Sequence, residues 1–258
     1  MKILKALLFW PSVWVFTIYK ASQLILIGLY YQIMGLKNKE DRCHEIGLEW
    51  GTGILRYTPG WEYTVKGLEH IPDLTKKPVV IVANHQSSVD ILALYTLGVQ
   101  FRWLSKAEVF RLPFVGQAMT MCGYIPIIRG SKGSHNSAYE ASRKCIENGT
   151  SMVYFPEGSR SKDGALQEFK LGAFRLADEE NVQVLPVSIL GTNRIMAKNS
   201  MIPNNAKIKI KVSAPLSRLE NESLEDFSLR VRSQINEDIE KDRALNHQQA
   251  PVFETVAT

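Results

Sequence analysis

Residues 78–83 read Pro-Val-Val-Ile-Val-Ala, and the run stops at Asn84 and His85. A stretch this short, apolar and β-branched fits a strand buried on both faces. Such a strand needs cover on either side, and helices flanking a mostly parallel sheet provide it. The rest of the chain supplies the parts. Further strand candidates are Glu62–Lys66, Gln100–Leu104, Tyr124–Ile128, Ser151–Phe155 and Val184–Ile189. Helix-like stretches run over Val89–Gly98, over Phe169–Glu180 and from Ser223 to about Arg243. Ser137-Ala-Tyr-Glu140 fits a capping box, which predicts a helix start there and an end at Gly149. Lys207-Ile-Lys-Ile-Lys-Val212 alternates strictly, which predicts a lysine row facing solvent on a half-exposed or edge strand. The expected fold class is α/β, a mostly mixed/parallel sheet covered by helices.

A different texture precedes the sheet. From Ala6 to Leu36 the only charge is Lys20, and about 20 apolar residues suffice to cross a bilayer. The stretch outlasts a signal-peptide core and no A-x-A site follows it, which disfavours cleavage. Lys2 and Lys5 flank one end; Lys37, Lys39 and Arg42 flank the other. The positive-inside rule then places both ends on the cytoplasmic side. A helix bent near Pro11 or Gly28 satisfies that, as does an in-plane helix with Lys20 snorkelling. Next, Cys43, Ile46, Trp50, Ile54 and Tyr57 share one helical face, with Arg42, Glu45, Glu49 and Arg56 largely off it. Pro59-Gly60 ends that helix. The expected organisation is a membrane-associated two-helix segment over residues 1–58, an α/β domain over 59–245 and a flexible tail over 246–258.

The 258 residues are 45% hydrophobic and 22% charged, which suits a globular α/β domain with an appendage. The net charge of +5 suits an anionic membrane surface, a phosphorylated substrate or nucleic acid. The aromatic residues are not interleaved with basic clusters, which argues against nucleic acid. Cys43, Cys122 and Cys145 lie far apart and form no metal-binding spacing, so disulfides and zinc are not expected.

Chemistry gathers where strands end, as it does in open α/β sheets. His85 lies in the loop after the buried run and Asp90 lies in the first turn of the next helix. A carboxylate there can fix one imidazole nitrogen and leave the other as a base. Ser87 and Asp90 also match an S-x-x-D cap pair, and spacing alone leaves both readings open. A second strand ends in Phe155-Pro-Glu-Gly-Ser-Arg160. There Gly158 permits close backbone approach, Ser159 and Arg160 can cradle an anion, and Glu157 can accept from hydroxyls. Arg129 and Lys106 end two further strand candidates and add cations. Asp163 and the pair Lys162/Lys170 read as solvated charges. The chain has no G-x-S-x-G elbow and no Walker loop, so Ser87 and Ser88 are nucleophile candidates by proximity alone.

Together, N-H-x-x-x-x-D at Asn84–Asp90, G-x-I-x-I-x-R at Gly123–Arg129, F-P-E-G-S-R-S at Phe155–Ser161 and V-x-P-V-x-I at Val184–Ile189 resemble the 1-acyl-sn-glycerol-3-phosphate acyltransferases. Members of that family often carry an acidic residue where this chain has Ile128. The resemblance implies acyl transfer from acyl-CoA or acyl carrier protein to lysophosphatidic acid at a membrane lipid surface. His85 would be the base and Asp90 its support, with Arg160, Arg129 and Lys106 on the phosphate and Glu157, Gly158 and Ser159 shaping that pocket. It implies no metal and no cofactor beyond the thioester co-substrate, and a site on the cytoplasmic face of a membrane. Another acceptor, such as glycerol 3-phosphate or a different lysophospholipid, and a non-catalytic phospholipid-binding protein are the alternatives.

Overall fold

The computed structural model describes residues 2–161, 165–195 and 202–248, with side chains described between residues 7 and 244. Two antiparallel helices come first, α1 (Lys2–Ile33) and α2 (Lys39–Tyr57). The strands are β1 (Trp61–Lys66), β2 (Val80–Ala83), β3 (Phe101–Lys106), β4 (Ile125–Ile127), β5 (Ser151–Tyr154), β6 (Val184–Leu190) and β7 (Ala206–Val212). The later helices are α3 (Asp90–Tyr95), α4 (Val115–Met121), α5 (Lys132–Glu147), α6 (Gly172–Glu179) and α7 (Leu224–Gln248).

The strands form one sheet in the order β1-β7-β6-β2-β5-β3-β4. Every pairing is parallel except β6 with β7. β2 lies between β5 and β6, and all four of its residues are buried. This is why its sequence is apolar without alternation. Strands β2 to β6 therefore end on one edge of the sheet. β7 runs the other way and brings Ala206 and Lys207 to that same edge, with the start of β1 beside them.

Each sheet face has its own core. On one, Ile81, Ala83, Val153, Val187 and Ile208 pack with α1, α2, α3 and α4. On the other, Val80, Val82 and Met152 pack with α5, α6 and α7 through Ile146, Phe174 and Phe227. The helical hairpin thus shares a core with the sheet. Gly51 of α2 lets Tyr95 of α3 come close, since a Cβ there would fall 2.2 Å from a Tyr95 ring carbon.

α1 continues unbroken through Pro11 and lies along the domain. The Phe9 ring sits 5.6 Å from the Trp61 ring, and Trp50 donates to Thr17 Oγ1 at 2.9 Å. Its outer face stays apolar and exposed, at Leu7, Val15, Tyr19, Leu26 and Ile33 among others. Leu7–Ile33 is long and apolar enough to cross a membrane, yet its inner side is occupied by the domain. Lys20 does not extend alone toward a lipid headgroup. Its ammonium contacts Glu49 of α2 at 2.6 Å, because a cation on the packed side of an apolar helix needs a partner.

Several sequence expectations shift. Cys43, Ile46 and Ile54 are buried as the spacing predicts, but Tyr57 is exposed at the helix end. His44, Gly47 and Leu55 complete the buried stripe instead. His44 Nε2–H donates to the Val99 carbonyl at 3.1 Å, and Nδ1 accepts from Tyr124 Oη–H at 2.9 Å. Burial first, then the Arg102 charge, lower its pKa to about 3, so it sits neutral. Helix α5 begins at Lys132, not at Ser137. Ser131 caps it by accepting from Ser134 N–H, so the earlier serine takes the terminus. Glu140 pairs instead with Arg143 at 3.2 Å. β7 is an interior strand, not an edge, and its lysine face is half-exposed as the alternation predicts: Lys207 is exposed beside Glu62, and the next two lysines reach α7. Lys209 meets Asp242 at 2.6 Å and Lys211 meets Asp238 at 2.5 Å. α7 continues to Gln248, through the start of the expected tail, whose residues 249–258 lie outside the described residues.

Candidate active site

His85 and Asp90 meet at the exit of β2. His85 Nδ1 lies 2.8 Å from Asp90 Oδ2. Asp90 is fully buried, while the His85 side chain is 19% exposed. The same carboxylate oxygen accepts from Gln86 N–H at 2.6 Å and from Ser87 N–H at 2.8 Å. Ser87 does not cap α3: the N-cap position is Val89, with no side-chain cap bond, so the Asp90 carboxylate serves the His85 ring and loop instead. Its other oxygen accepts from the hydroxyl of Thr192, which is buried in the turn after β6.

The backbone of His85 is held as firmly as its ring. Its N–H donates to Glu157 Oε1 at 2.6 Å, and its carbonyl accepts from Ser161 N–H at 2.8 Å. The ring stacks on Phe155 with centroids 4.2 Å apart. Asn84 clamps β2 to β6, donating to the Ile189 carbonyl at 2.8 Å and accepting from Ile189 N–H at 2.7 Å. Among the described residues nothing bonds His85 Nε2. With Nδ1 donating to Asp90, that nitrogen is left free to act as an acceptor. Ser87 Oγ accepts from Val89 N–H at 3.3 Å, and neither Ser87 nor Ser88 bonds to His85 among the described residues.

Glu157 does not stand at the rim. It is only 6% exposed, and its second oxygen accepts from Gln167 N–H at 3.1 Å. Burial raises its pKa, opposed by those two backbone bonds. The carboxylate thus ties the β5 loop to the His85 loop. Gln167 is itself held by Arg232 of α7, which donates to the Gln167 and Leu166 carbonyls at 2.9 and 2.7 Å. Gly158 has a φ of 69°, and a Cβ there would fall 2.8 Å from Lys170 Nζ. Lys170 is exposed, as the sequence suggested, but its ammonium lies over this glycine. Asp163 and Lys162 lie outside the described residues. Ser159 Oγ donates weakly to Gln167 Oε1 at 3.4 Å.

Lys106 is the last residue of β3, and Arg129 and Arg160 follow β4 and β5 at the same sheet edge; all three are exposed. Among the described residues none of them has a hydrogen bond or ion pair. Against the hairpin lies an apolar cavity of about 170 Å³, lined by Leu24, Trp50, Ile91, Val115 and Met119 among others. Ile91 follows Asp90 in α3, so this cavity reaches the residue next to the dyad. Sequence reading missed Thr192, Gln167 and Arg232. Thr192 was within reach, since it follows another apolar strand; the other two act through backbone contacts that no motif records.

The family model for acyltransferases matches residues 62–190. This chain belongs to the acyltransferase family. It is 34% identical over 194 residues to the chloroplastic 1-acyl-sn-glycerol-3-phosphate acyltransferase of Arabidopsis thaliana, covering 75% of this chain and 54% of that protein. A similar match to the Brassica napus protein covers 56% of it, so the chain spans about half the length of these plant relatives. The 1-acyl-sn-glycerol-3-phosphate acyltransferase of Borreliella burgdorferi is 31% identical over 193 residues, covering 72% of this chain and 75% of that one. In fold, the chain is similar to the 1-acyl-sn-glycerophosphate acyltransferase of Thermotoga maritima. The TM-score is 0.77 over 94% of this chain and 96% of that one, at 23% identity.

Proposed function

We propose that this acyltransferase moves a fatty acyl group from an acyl thioester to the sn-2 hydroxyl of lysophosphatidic acid. One observation carries the reading. An imidazole fixed at Nδ1 by a buried carboxylate stands on the same sheet edge as three cations without a partner among the described residues. The relatives named above point to the same acceptor.

The chemistry follows from the geometry. An alcohol is too weak an acid to ionise before it attacks. As its oxygen bonds to the thioester carbonyl carbon, His85 Nε2 takes the hydroxyl proton. The imidazolium that forms is stabilised by Asp90 across 2.8 Å. The tetrahedral oxyanion then collapses, the carbon–sulfur bond breaks with its electron pair on sulfur, and the imidazolium returns the proton to the thiolate. Ester and free thiol leave, and no acyl-enzyme forms. Arg160, Arg129 and Lys106 would hold the acceptor's phosphate, with Gly158 and Ser159 shaping the pocket. Glu157 would brace the loops. The apolar cavity beside Ile91 would receive the start of an acyl chain.

The exposed apolar face of α1 supports a site at a lipid surface. Packed on its other side, α1 would lie in one leaflet with both ends on the cytoplasmic side. The donor would be acyl-CoA or acyl carrier protein.

Thiol release by purified protein from acyl-CoA, measured against a panel of lysolipids, tests the reading. The account expects release that depends on lysophosphatidic acid. Equal release without any acceptor would make the protein a thioesterase, and preference for a non-phosphorylated lysolipid would remove the role of the cations.

A further inference from the structure

The loop between β3 and α4 is apolar where surface loops are usually polar. After a short 3₁₀ turn over Val109–Arg111 it reads Leu112-Pro113-Phe114. Leu112 and Phe114 are each 46% exposed. Phe114 has a φ of 63° and a ψ of −48°. Across it, Val115 N–H donates to the Pro113 carbonyl at 2.7 Å, which closes a three-residue γ-turn of the rare, strained kind. Among the described residues, every other non-glycine residue with a positive φ is an asparagine, a type that tolerates this region. Phenylalanine does not, and strain that the fold holds in place points to a use for the turn.

The surroundings hold this turn without covering it. Gly116 N–H donates to the Leu112 carbonyl at 2.8 Å, and Ala118 N–H to the Phe114 carbonyl at 3.0 Å. A Cβ on Gly116 would collide with the Phe110 carbonyl oxygen, so the chain folds back tightly there. Phe110 and Val115 pack inward, which leaves Leu112, Pro113 and Phe114 as an exposed tip. The tip adjoins α1. Helix α4 starts at the next residue and packs so closely on α1 that a Cβ on Gly28 would collide with Met121 Sδ. The charge here is basic: from Ser105 to Arg129 the chain carries Lys106, Arg111 and Arg129 against Glu108 alone. Ile128, beside Arg129, is 52% exposed and adds apolar surface to the same edge.

Apolar side chains flanked by cations suit the boundary of an anionic bilayer, where the side chains enter the acyl region and the cations meet headgroup phosphates. We propose that Leu112, Pro113 and Phe114 form a second membrane anchor, inserted beside α1 into a leaflet that carries anionic lipid. The inference rests on the reading that α1 lies in that leaflet. A helix lying in the interface is free to roll about its own axis. An anchor off that axis fixes the roll, and with it the direction in which the edge carrying Lys106 and Arg129 faces. The γ-turn holds the Phe114 ring outward before contact, so little ordering is left to the moment of insertion. A bilayer is favoured over a protein partner because the tip adjoins a helix whose own outer face is apolar and exposed.

Fluorescence quenching on the full chain tests it, independently of acyl transfer. Cys43 and Cys122 are buried, so in a Cys145→Ser background a thiol-reactive dye reports on one introduced cysteine. The dye is placed by Phe114→Cys, by Leu26→Cys on the exposed face of α1, or by Leu229→Cys on α7 across the sheet. Each protein is bound to vesicles of phosphatidylcholine and phosphatidylglycerol whose acyl chains carry bromine. The dyes at positions 114 and 26 should be quenched and the dye at 229 should not. Phe114→Gly should keep or raise the thermal midpoint, since glycine accepts this φ, yet weaken vesicle binding by roughly five- to ten-fold. Arg111→Glu should weaken binding by about ten-fold, and only where phosphatidylglycerol is present. A loop that merely supports α4 would lose stability on Phe114→Gly and leave binding alone, which would overturn the proposal. Quenching at 26 without quenching at 114 would overturn the second anchor and leave α1 in the membrane. Absence of quenching at both positions would overturn both readings. A dye at 114 that responds to acyl carrier protein or to rising protein concentration, and not to brominated lipid, would assign the tip to a protein surface and overturn the proposal as well.

Discussion

The two halves of the sheet edge are built in opposite ways. Around His85, each ring and backbone contact leads to another: Asp90 to Thr192, Glu157 to Gln167, and Gln167 to Arg232. Around Arg160, Arg129 and Lys106, no side-chain partner exists among the described residues. The contrast fits the roles proposed for the two halves. A base must be aligned before the proton moves, so its orientation is fixed by the fold in advance. A cation that grips a phosphate gains its hydrogen bonds from the ligand, and a prior ion pair would compete with them.

That difference can be broken from either side. Asp90→Asn keeps an acceptor for Thr192 but removes the charge that stabilises the imidazolium. It should lower kcat by about 10²–10⁴-fold with little change in KM; a loss below ten-fold would mean that orientation by Asp90 is not limiting. Arg160→Ala should act on the acceptor, raising the lysophosphatidic acid KM by roughly ten-fold or more. A pure kcat effect there would place this arginine with the base rather than with the clamp. Thr192→Val keeps the side-chain shape and removes one bond to Asp90, so kcat should fall by about five-fold, while Thr192→Ser should restore it. If serine does not rescue, the hydroxyl bond is not the reason for the loss.

The smallest effect concerns stability away from the site. His44 is buried neutral, with a folded pKa of about 3 against an ordinary 6.5. The unfolded chain binds a proton there that the folded chain does not. Stability from this group is therefore complete above about pH 6.5 and is lost as the pH falls toward 3. His44→Gln should flatten thermal stability across that window. An unchanged pH slope would mean that another group governs the acid limb.

Much of this was legible in the chain, and the pattern of what was not is physical. β2 announces itself because burial on both faces removes every polar residue from it. The His85 and Glu157 loops were readable because strand exits concentrate polar residues after apolar runs. The direction of the Glu157 side chain was not, since its partners are backbone N–H groups that every residue carries. The half-exposed lysine face of β7 was readable, but the partners of Lys209 and Lys211 were not, since Asp242 and Asp238 lie on α7, far along the sequence. The capping-box motif pointed to Ser137, yet the helix starts at Lys132 with Ser131 as its cap. The apolar N-terminus predicted a membrane-associated segment, but only the packing of Phe9 on Trp61 and Thr17 on Trp50 shows which side of α1 the domain already covers.

The most direct test replaces the imidazole. His85→Ala should cut acceptor-dependent thiol release by at least about 10²-fold while thermal unfolding and lysophosphatidic acid binding stay near wild type. A folded His85→Ala protein that releases thiol at close to the wild-type rate would contradict the account.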